Sequence, residues 1–360
     1  MENILIVSYN FPPTIGGIET YAKEMNSYFE NNSNVKFIHP KKKIPASSSI
    51  LRGLSLIIFI LNVYLKTYKK KYKIIQLTSY NLIFYAYLYS LIQKDTIFII
   101  NIWGLELLYG NKKGLLPKIY KKIMMNNQTN FKKISINYLV STDASKDLLL
   151  NQNINYESIY KIPLGIKSEN ISYSIEIPEK YFLFVGRLVE RKGLSWFSNN
   201  VLPFFPDYKL KVVGPASDKE ELKKSLNKNI EYLGIVSESE LLNLRKKASI
   251  CIIPNIENKN SDDFEAFCFV TIESVASGSL VVASKYQGIQ EAMQNGELGT
   301  LAEPSNVNSW VNKINENLLL SNSERKELIH NRQKILSKNF TWDKLFKETE
   351  KLYSELINYD

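Results

Sequence analysis

Short apolar runs alternate with helix-length segments along most of this 360-residue chain. One series of runs occupies residues 4–8, 35–38, 74–78, 96–102 and 136–140, and a second occupies residues 181–185, 210–213, 230–233, 250–253 and 280–283. Short runs that are apolar throughout are typical of strands buried on both faces of a parallel sheet, and the intervening segments are long enough for the covering helices. The pattern therefore predicts an α/β fold with two parallel sheets.

A turn and a polar stretch separate the two series. Residues 163–166 read Pro-Leu-Gly-Ile, and residues 167–178 are polar and lack a periodic pattern, as expected for a linker. We predict two Rossmann-like domains, at residues 1–168 and 175–338, which face each other across a cleft where ligands bind. A single large domain is the alternative, although a chain of this length can bury two separate cores.

Positive charge is concentrated in the first half of the chain. Residues 1–170 contain 22 Lys and Arg but 10 Asp and Glu, whereas residues 171–360 contain 24 and 26. The basic residues cluster at positions 41–43, 66–73 and 112–133, near Tyr64, Tyr68, Tyr72 and Tyr120. This pattern favours contact with an anionic membrane. A solvated lysine-rich surface is the main alternative, and nucleic-acid binding ranks well below both.

Histidine and cysteine are scarce. The chain has only His39, His330, Cys251 and Cys268, whose spacing matches neither a zinc site nor a disulfide framework. We therefore expect neither zinc chemistry nor a histidine-based catalytic triad. No motif for another metal or for a cofactor is present, and we predict none.

The termini and apolar runs give an expectation about location. The sequence opens on a strand pattern without the basic segment of a secretory signal. The longest apolar run, residues 54–65, is shorter than the about 20 residues that span a bilayer, so we interpret it as a buried helix. We expect a cytoplasmic protein, soluble or peripheral on the inner face of the membrane.

Two carboxylates bracket a short apolar stretch in the second half. Glu265 and Glu273 enclose Ala-Phe-Cys-Phe-Val-Thr-Ile. An unpaired carboxylate in an apolar helix costs several kcal/mol, so we expect each to hold something polar. If a helix begins near Phe267, eight residues span about 12 Å, and the carboxylates could hold the two ends of an elongated, hydroxyl-rich ligand. The alternative is two structural acids, with Glu265 in a first helical turn and Glu273 solvated.

The start of the same predicted helix is a candidate anion site. Backbone N–H groups near Phe267, Cys268, Phe269 and Val270 would face the anionic middle of the ligand. A sugar on a nucleoside diphosphate has this form, with Glu265 at the sugar hydroxyls and Glu273 at the ribose.

The stretch resembles the Glu-x7-Glu signature of retaining GT-B glycosyltransferases of family 4, also called glycosyl transferases group 1. In that family the first motif is Glu-Gly-Phe-Gly, whereas this chain has Ala266 and Cys268 in place of the glycines. Residues 184–193, Phe-Val-Gly-Arg-Leu-Val-Glu-Arg-Lys-Gly, also resemble a family motif. The resemblance implies that Arg187 and Lys192, next to Gly186, neutralise the donor diphosphate and act with Glu265 in catalysis.

Two further motifs in the first half resemble family elements. Gly16 and Gly17, with Glu19, resemble a Gly-Gly-x-Glu element that approaches the donor or acceptor. Trp103-Gly-Leu-Glu106 stands where many members have His-Gly-x-Asp or His-Gly-x-Glu. An indole cannot accept a proton, so Trp103 marks a difference in the sugar pocket, whereas Glu106 keeps the acidic position.

The resemblance covers nearly the whole chain and implies a specific activity. The implied enzyme is a metal-independent, retaining glycosyltransferase that moves a sugar from a nucleoside diphosphate sugar to a glycan or lipid-linked acceptor. Surface polysaccharide or lipopolysaccharide biosynthesis would be its role, with the first domain binding the acceptor, the second the donor, and residues 339–360 crossing back to the first. The alternatives are a GT-B nucleotide-sugar epimerase and a non-catalytic sugar-nucleotide-binding protein.

Overall fold

A computed structural model of the chain describes residues 3–14, 16–41, 49–109, 114, 117–118, 135–152, 154–257 and 264–358. The chain divides into two compact units. The first comprises Met1–Pro163 and Trp342–Asp360, and the second comprises Leu164–Thr341. The roles predicted for them, acceptor binding and donor binding, stay predictions.

The first unit contains a six-stranded parallel sheet in the order β2-β1-β3-β4-β5-β6. Its strands are β1 (Ile4–Val7), β2 (Val35–Ile38), β3 (Ile74–Leu77), β4 (Ile97–Asn101), β5 (Ile136–Val140) and β6 (Ile159–Lys161). Its helices are α1 (Gly17–Phe29), α2 (Ser49–Thr67), α3 (Ile83–Ser90), α4 (Leu105–Leu108) and α5 (Asp143–Leu150). The central strands β3 and β4 are buried throughout, because helices cover both faces.

Helix α2 is only half-buried, so the expectation of a buried helix at residues 54–65 is wrong. Ile60 and Val63 pack in the core, but Ile58 on the opposite face is 59% exposed. Most exposed positions in the run are also apolar, which is why the sequence pattern alone indicates burial. No helix in the described part of the chain is long and apolar enough to cross a membrane.

The C-terminal helix packs in the first unit through aromatic and polar contacts. After the second unit the chain enters the last helix, Trp342–Asn358, whose Phe346 lies 6.0 Å from Tyr21 between ring centroids. The buried Tyr353 hydroxyl donates a hydrogen bond to Oε1 of Gln76, and Gln76 Nε2 donates to Asn101 Oδ1 at 2.7 Å. Because these buried polar groups have partners, they fix the helix against the middle of the sheet.

The second unit contains another six-stranded parallel sheet, in the order β12-β11-β10-β7-β8-β9. Its strands are β7 (Glu179–Val185), β8 (Lys209–Val213), β9 (Ile230–Gly234), β10 (Ala248–Ile253), β11 (Val281–Ser284) and β12 (Thr300–Ala302). Its helices are α6 (Leu194–Asn200), α7 (Lys219–Ser225), α8 (Glu238–Lys247), α9 (Phe269–Ala276), α10 (Gln287–Ala292), α11 (Val307–Leu318) and α12 (Asn322–Asn339); the C-terminal helix of the first unit is α13.

The two predicted parallel sheets are confirmed, and two edge strands, β6 and β12, are additions that the apolar pattern did not predict. Both have three residues, too few for a buried run to stand out. In the second unit β7 and β10 are adjacent and parallel, so the loops that follow them emerge at the same edge. This edge carries most of the residues that the sequence selected.

Candidate functional site

Glu265 lies in the connection between β10 and α9, at the carboxyl edge of the second sheet. Its backbone is held on both sides: the N–H donates to Oε1 of Gln287 at 2.7 Å, and the C=O accepts from Gly288 N at 3.0 Å. Gln287 and Gly288 begin α10, so the position of Glu265 is fixed by the next βα unit rather than by α9. Glu265 therefore does not lie in the first turn of a helix, although the structural alternative placed it there.

Two cations and an amide surround the Glu265 carboxylate. Lys192 Nζ lies 2.5 Å from Oε2, Arg191 Nη1 donates to the same oxygen, and Asn255 Nδ2 donates to it at 3.1 Å. The three ionic side chains are 9 to 13% exposed. Charge-assisted hydrogen bonds in such a sheltered place are stronger than on an open surface. Glu265 thus has protein partners, although the sequence argument assigned it to a ligand alone.

The protonation of Glu265 follows from these neighbours. Burial by itself would raise the pKa of the carboxyl group, because the charged form loses hydration. Lys192 and Arg191 outweigh that effect and lower the pKa to about 2. The site accordingly holds a carboxylate at neutral pH, which can only accept hydrogen bonds.

A close backbone contact sets the position of the two cations. Gly193, the residue after Lys192, has φ of 69°, and a Cβ there would lie 1.9 Å from the carbonyl oxygen of Pro254. Ile256 N donates to Arg191 O at 3.1 Å. The loop after β7 therefore packs directly on the loop after β10, which carries Asn255, and only glycine fits at their contact.

Arg187 differs from its two cationic neighbours. It follows Gly186 at the end of β7, and its side chain is exposed. It forms no hydrogen bond or ion pair with any other residue that the structure describes. Within the described part of the second unit, Arg187 is thus a guanidinium without a partner, at the end of the strand whose following loop carries Arg191 and Lys192.

Helix α9 begins at Phe269, two residues later than expected. Phe267 and Cys268 precede it, and Cys268 occupies the N-cap with φ of 50°. No side chain caps the helix start. Phe267 instead packs its ring against Phe340, with 6.0 Å between centroids, so it has a structural contact as well as its predicted place near the donor. Phe269 and Val270 form the first turn.

Glu273 lies on α9, one turn from its C-terminal end, and has a cationic partner too. Arg245 Nη2, from α8, lies 2.5 Å from Glu273 Oε2. The Glu273 side chain is 40% exposed, whereas that of Arg245 is 10% exposed. The Glu273 carboxylate is therefore held by a sheltered arginine and is still partly accessible to solvent.

The structure thus brings together Lys192 and Glu265, which the sequence selected separately as ligand-binding residues, and adds residues that sequence reasoning missed. These are Arg191, Asn255, Gln287 and Arg245. Arg191 is next to a selected lysine, which was a usable signal. The other three depend on contacts between segments distant in sequence, for which a single sequence carries no signal.

In the first unit, Glu19 folds back on the glycine loop. Glu19 is buried in the first turn of α1, and Asn10 Nδ2 donates to its Oε1 at 2.9 Å. A Cβ at Gly16 would lie 2.3 Å from Glu19 Oε2, so the carboxylate covers the position where Gly16 lacks a side chain. Gly17 begins the helix.

Trp103 and Glu106 form a second group in the first unit. Trp103 N donates to Glu106 Oε1 at 2.6 Å, and the indole Nε1 donates to Thr78 O at 2.8 Å. Burial raises the pKa of Glu106 to about 7, although backbone hydrogen bonds from Trp103, Glu106 and Gly104 oppose the rise. Trp103 is thus held by the ends of β3 and β4, and Glu106 can carry a proton near neutral pH. Among the described residues no three His, Cys, Asp or Glu side chains form a metal-binding group.

Part of the chain is similar to known protein families. Residues 168–335 match the model of the family described as glycosyl transferases group 1. The chain is 29% identical over 211 residues to an uncharacterized glycosyltransferase of Methanocaldococcus jannaschii, covering 58% of this chain and 56% of that one. It is 26% identical over 200 residues to the lipopolysaccharide 1,2-N-acetylglucosaminetransferase of Salmonella typhimurium, covering 51% and 50%. The chain spans about half the length of most curated relatives it matches.

Solved structures show the fold. Sucrose-phosphate synthase from Thermosynechococcus elongatus aligns with a TM-score of 0.75 at 16% identity, covering 99% of both chains. Anabaena HepE, in complex with UDP and glucose, aligns with a TM-score of 0.71 at 14% identity, covering 98% of this chain and all of that one. The predicted GT-B class, with two Rossmann-like domains, is confirmed.

Proposed function

We propose that the chain transfers a sugar from a nucleoside diphosphate sugar to a glycan or lipid-linked acceptor, with retention of anomeric configuration and without a metal ion. The match of residues 168–335 to the glycosyl transferases group 1 supports this proposal. The observation that carries the proposal is the Glu265 carboxylate, largely shielded from solvent and held by Lys192 and Arg191. Arg187, which has no partner among the residues that the structure describes, lies at the end of the strand that precedes these cations. This arrangement supplies both an acceptor for sugar hydroxyls and cations for a diphosphate.

The cations would stabilise the leaving group. As the bond between sugar and diphosphate breaks, negative charge grows on the phosphate oxygens, and positioned cations lower the barrier. Arg187 has no partner among the described residues, so it would engage the diphosphate directly. Lys192 would contact both the diphosphate and Glu265, while Arg191 and Asn255 keep the carboxylate in place. Backbone N–H groups of Cys268, Phe269 and Val270, at the uncapped start of α9, would add donors.

Glu265 and Glu273 would bind opposite ends of the donor. Glu265, which is ionised and sheltered, would accept hydrogen bonds from sugar hydroxyls. Glu273, partly exposed and oriented by Arg245, would accept from the ribose hydroxyls. The transferred sugar would pass through a state with oxocarbenium character. The acceptor hydroxyl would attack the sugar on the face that the leaving phosphate vacates, and the leaving phosphate oxygen would take the hydroxyl proton.

The acceptor would lie against Glu19, Trp103 and Glu106 of the first unit. Their place at the carboxyl ends of β1, β3 and β4 supports this, since ligands of parallel α/β sheets bind at that edge. The Salmonella relative acts on lipopolysaccharide by its name, which supports a role in surface polysaccharide synthesis. The lysines of residues 66–73 would attract an anionic membrane, and we propose a peripheral location on its inner face.

A non-catalytic sugar-nucleotide-binding protein is the second candidate. Trp103 favours it, because an indole ring has no basic nitrogen and its N–H group donates a hydrogen bond to a backbone carbonyl. Such a protein would bind the donor and release no nucleoside diphosphate with any acceptor.

A donor screen tests the proposal. Thermal unfolding is measured with UDP, GDP and ADP sugars, since a ligand at about 100 times its Kd adds about 2.7 kcal/mol of stability. The stabilising donor is then incubated with glycan and lipid-linked acceptors, and the product anomer is determined by NMR. Binding without transfer would favour the second candidate. Conversion of the donor alone to another sugar nucleotide would indicate an epimerase, and no stabilisation by any donor would contradict the proposal.

A further inference from the structure

Helix α2 presents an apolar face to solvent. Leucine and isoleucine recur at three- and four-residue spacing along its outer side, with exposed fractions from 46 to 66%; they are Leu51, Leu54, Ile58, Leu61 and Leu65. Ile57, 50% exposed, widens this outer stripe. Single exposed apolar residues are common on proteins, but a continuous stripe of six on one helix marks an interaction surface.

The opposite face of α2 is already committed to the first unit. Ile60 and Val63 are 2% exposed in the core. Thr67 Oγ1, near the end of the helix, is bonded to the Tyr85 hydroxyl of α3 at 2.9 Å. The C-terminal half of the helix is thus fixed on the unit by its inner face, and the outer stripe faces solvent.

The charge around the stripe identifies the kind of partner. Between Glu30 and Asp95 the sequence contains 11 Lys and Arg and no acidic residue. Lys66 lies in the last turn of α2, and Lys69, Lys71 and Lys73 follow it with exposed side chains. A second copy of the chain would bring these like charges together, which opposes pairing through this face. Lipids with anionic headgroups complement both the cations and the apolar stripe.

We propose that α2 lies in the interface of an anionic lipid bilayer, with the outer stripe at the level of the acyl chains and the flanking lysines at the headgroup phosphates. Because the inner face stays packed on the sheet, the helix axis runs parallel to the membrane. Leu91 and Ile92, just after α3, are also apolar and are 60 and 49% exposed. The proposal adds an apolar anchor to the electrostatic contact proposed above, and it does not depend on sugar transfer.

Vesicle flotation tests the proposal. The full chain is mixed with vesicles of phosphatidylcholine and phosphatidylglycerol, or of phosphatidylcholine alone, at low and high salt. The test variant combines Leu54→Ser, Ile58→Ser and Leu61→Ser. The control combines Ile177→Ser, Ile235→Ser and Leu319→Ser, which are equally apolar and 72 to 85% exposed in the second unit. Thermal unfolding confirms that both variants fold.

We expect the test variant to bind anionic vesicles at least about tenfold more weakly than the parent, because three side chains lose their apolar contact. The control should bind as the parent does. The parent should also keep part of its binding at high salt, where attraction by lysines alone is screened. Equal binding of parent and test variant, or complete loss at high salt, would overturn the proposal.

A fluorescent probe gives an independent readout. An environment-sensitive dye is attached through Ile58→Cys, or through Leu319→Cys as control; the two native cysteines are buried. Blue-shifted emission on anionic vesicles only from position 58 is expected, and unchanged emission would contradict insertion. Size-exclusion chromatography without lipid tests whether the outer stripe instead binds a second copy of the chain. A parent dimer that the serine variant converts to monomer would show that the stripe binds a second copy, and would overturn the proposal.

Discussion

Lys192 Nζ and Glu265 Oε2 lie 2.5 Å apart, with Arg191 on the same oxygen. A carboxylate with two cationic partners is stable before any substrate arrives, and a diphosphate can later draw on one cation without leaving Glu265 unpaired. The extra cation therefore lets the same group serve stability and substrate binding. The predictions below separate the two roles.

Removal of Arg187 should lower transfer much more than stability, whereas removal of Lys192 should lower both, because Lys192 also pairs with the sheltered Glu265 carboxylate. For Arg187→Ala and Lys192→Ala we expect kcat to fall about 100- to 1,000-fold, the usual loss for one group that stabilises a leaving-group charge. Lys313→Ala, which removes an exposed helical lysine paired with Glu316, is the matched control. Single-turnover rates and thermal unfolding measure the two effects, and full activity in either variant would exclude the assigned residue.

Acid should weaken the second unit through Glu265. Its pKa is about 2 in the folded chain and 4.5 in the reference state, so its contribution is present above pH 4.5 and is lost as pH falls toward 2. That difference corresponds to roughly 3 kcal/mol. Glu265→Gln cannot titrate. Denaturant titrations of both proteins should therefore show a stability gap that narrows between pH 4.5 and 2; a gap independent of pH would contradict the ion-pair assignment.

The contact at Gly193 should be intolerant of any side chain. Gly193→Ala places a Cβ 1.9 Å from Pro254 O, whereas Gly234→Ala, at nearly the same φ of 67°, meets nothing within 4 Å. In both variants the alanine must adopt a left-handed backbone conformation, which costs about 1 to 2 kcal/mol of stability. Only Gly193→Ala should lose further stability and displace Lys192. Equal unfolding free energies in the two variants would show that the close contact is unimportant.

Arg245 should act on donor binding through Glu273. Arg245→Met removes the ion pair but keeps an unbranched apolar side chain, and should weaken the binding of free nucleoside diphosphate by about tenfold, since an unanchored carboxylate must be ordered on binding. The effect should be small in a Glu273→Gln background. A double-mutant cycle measured by calorimetry gives the coupling, and additive losses would mean that Arg245 does not position Glu273.

The sheets were predictable because buried strands follow a local apolar pattern, whereas the ion pair between Lys192 and Glu265 joins distant segments and was not predicted. Apolar runs of strand length predict strands such as β3 and β10 without knowledge of the rest of the sheet. The motifs selected Lys192 and Glu265 one at a time, as residues of a ligand site. The outer face of α2 was misread because apolar residues surround the helix, and such a pattern favours burial unless an apolar partner is considered. Arg245 and Asn255 acquire their roles only when distant loops meet, so no window of sequence contains the information.

The division of the donor between two carboxylates is the central claim, and calorimetry with two ligands on two variants tests it most directly. Glu273→Gln should weaken binding of both the free nucleoside diphosphate and the intact nucleotide sugar, because the ribose is common to them. Glu265→Gln should leave binding of the free nucleoside diphosphate nearly unchanged and weaken that of the nucleotide sugar. Identical losses from both substitutions, for both ligands, would contradict the account.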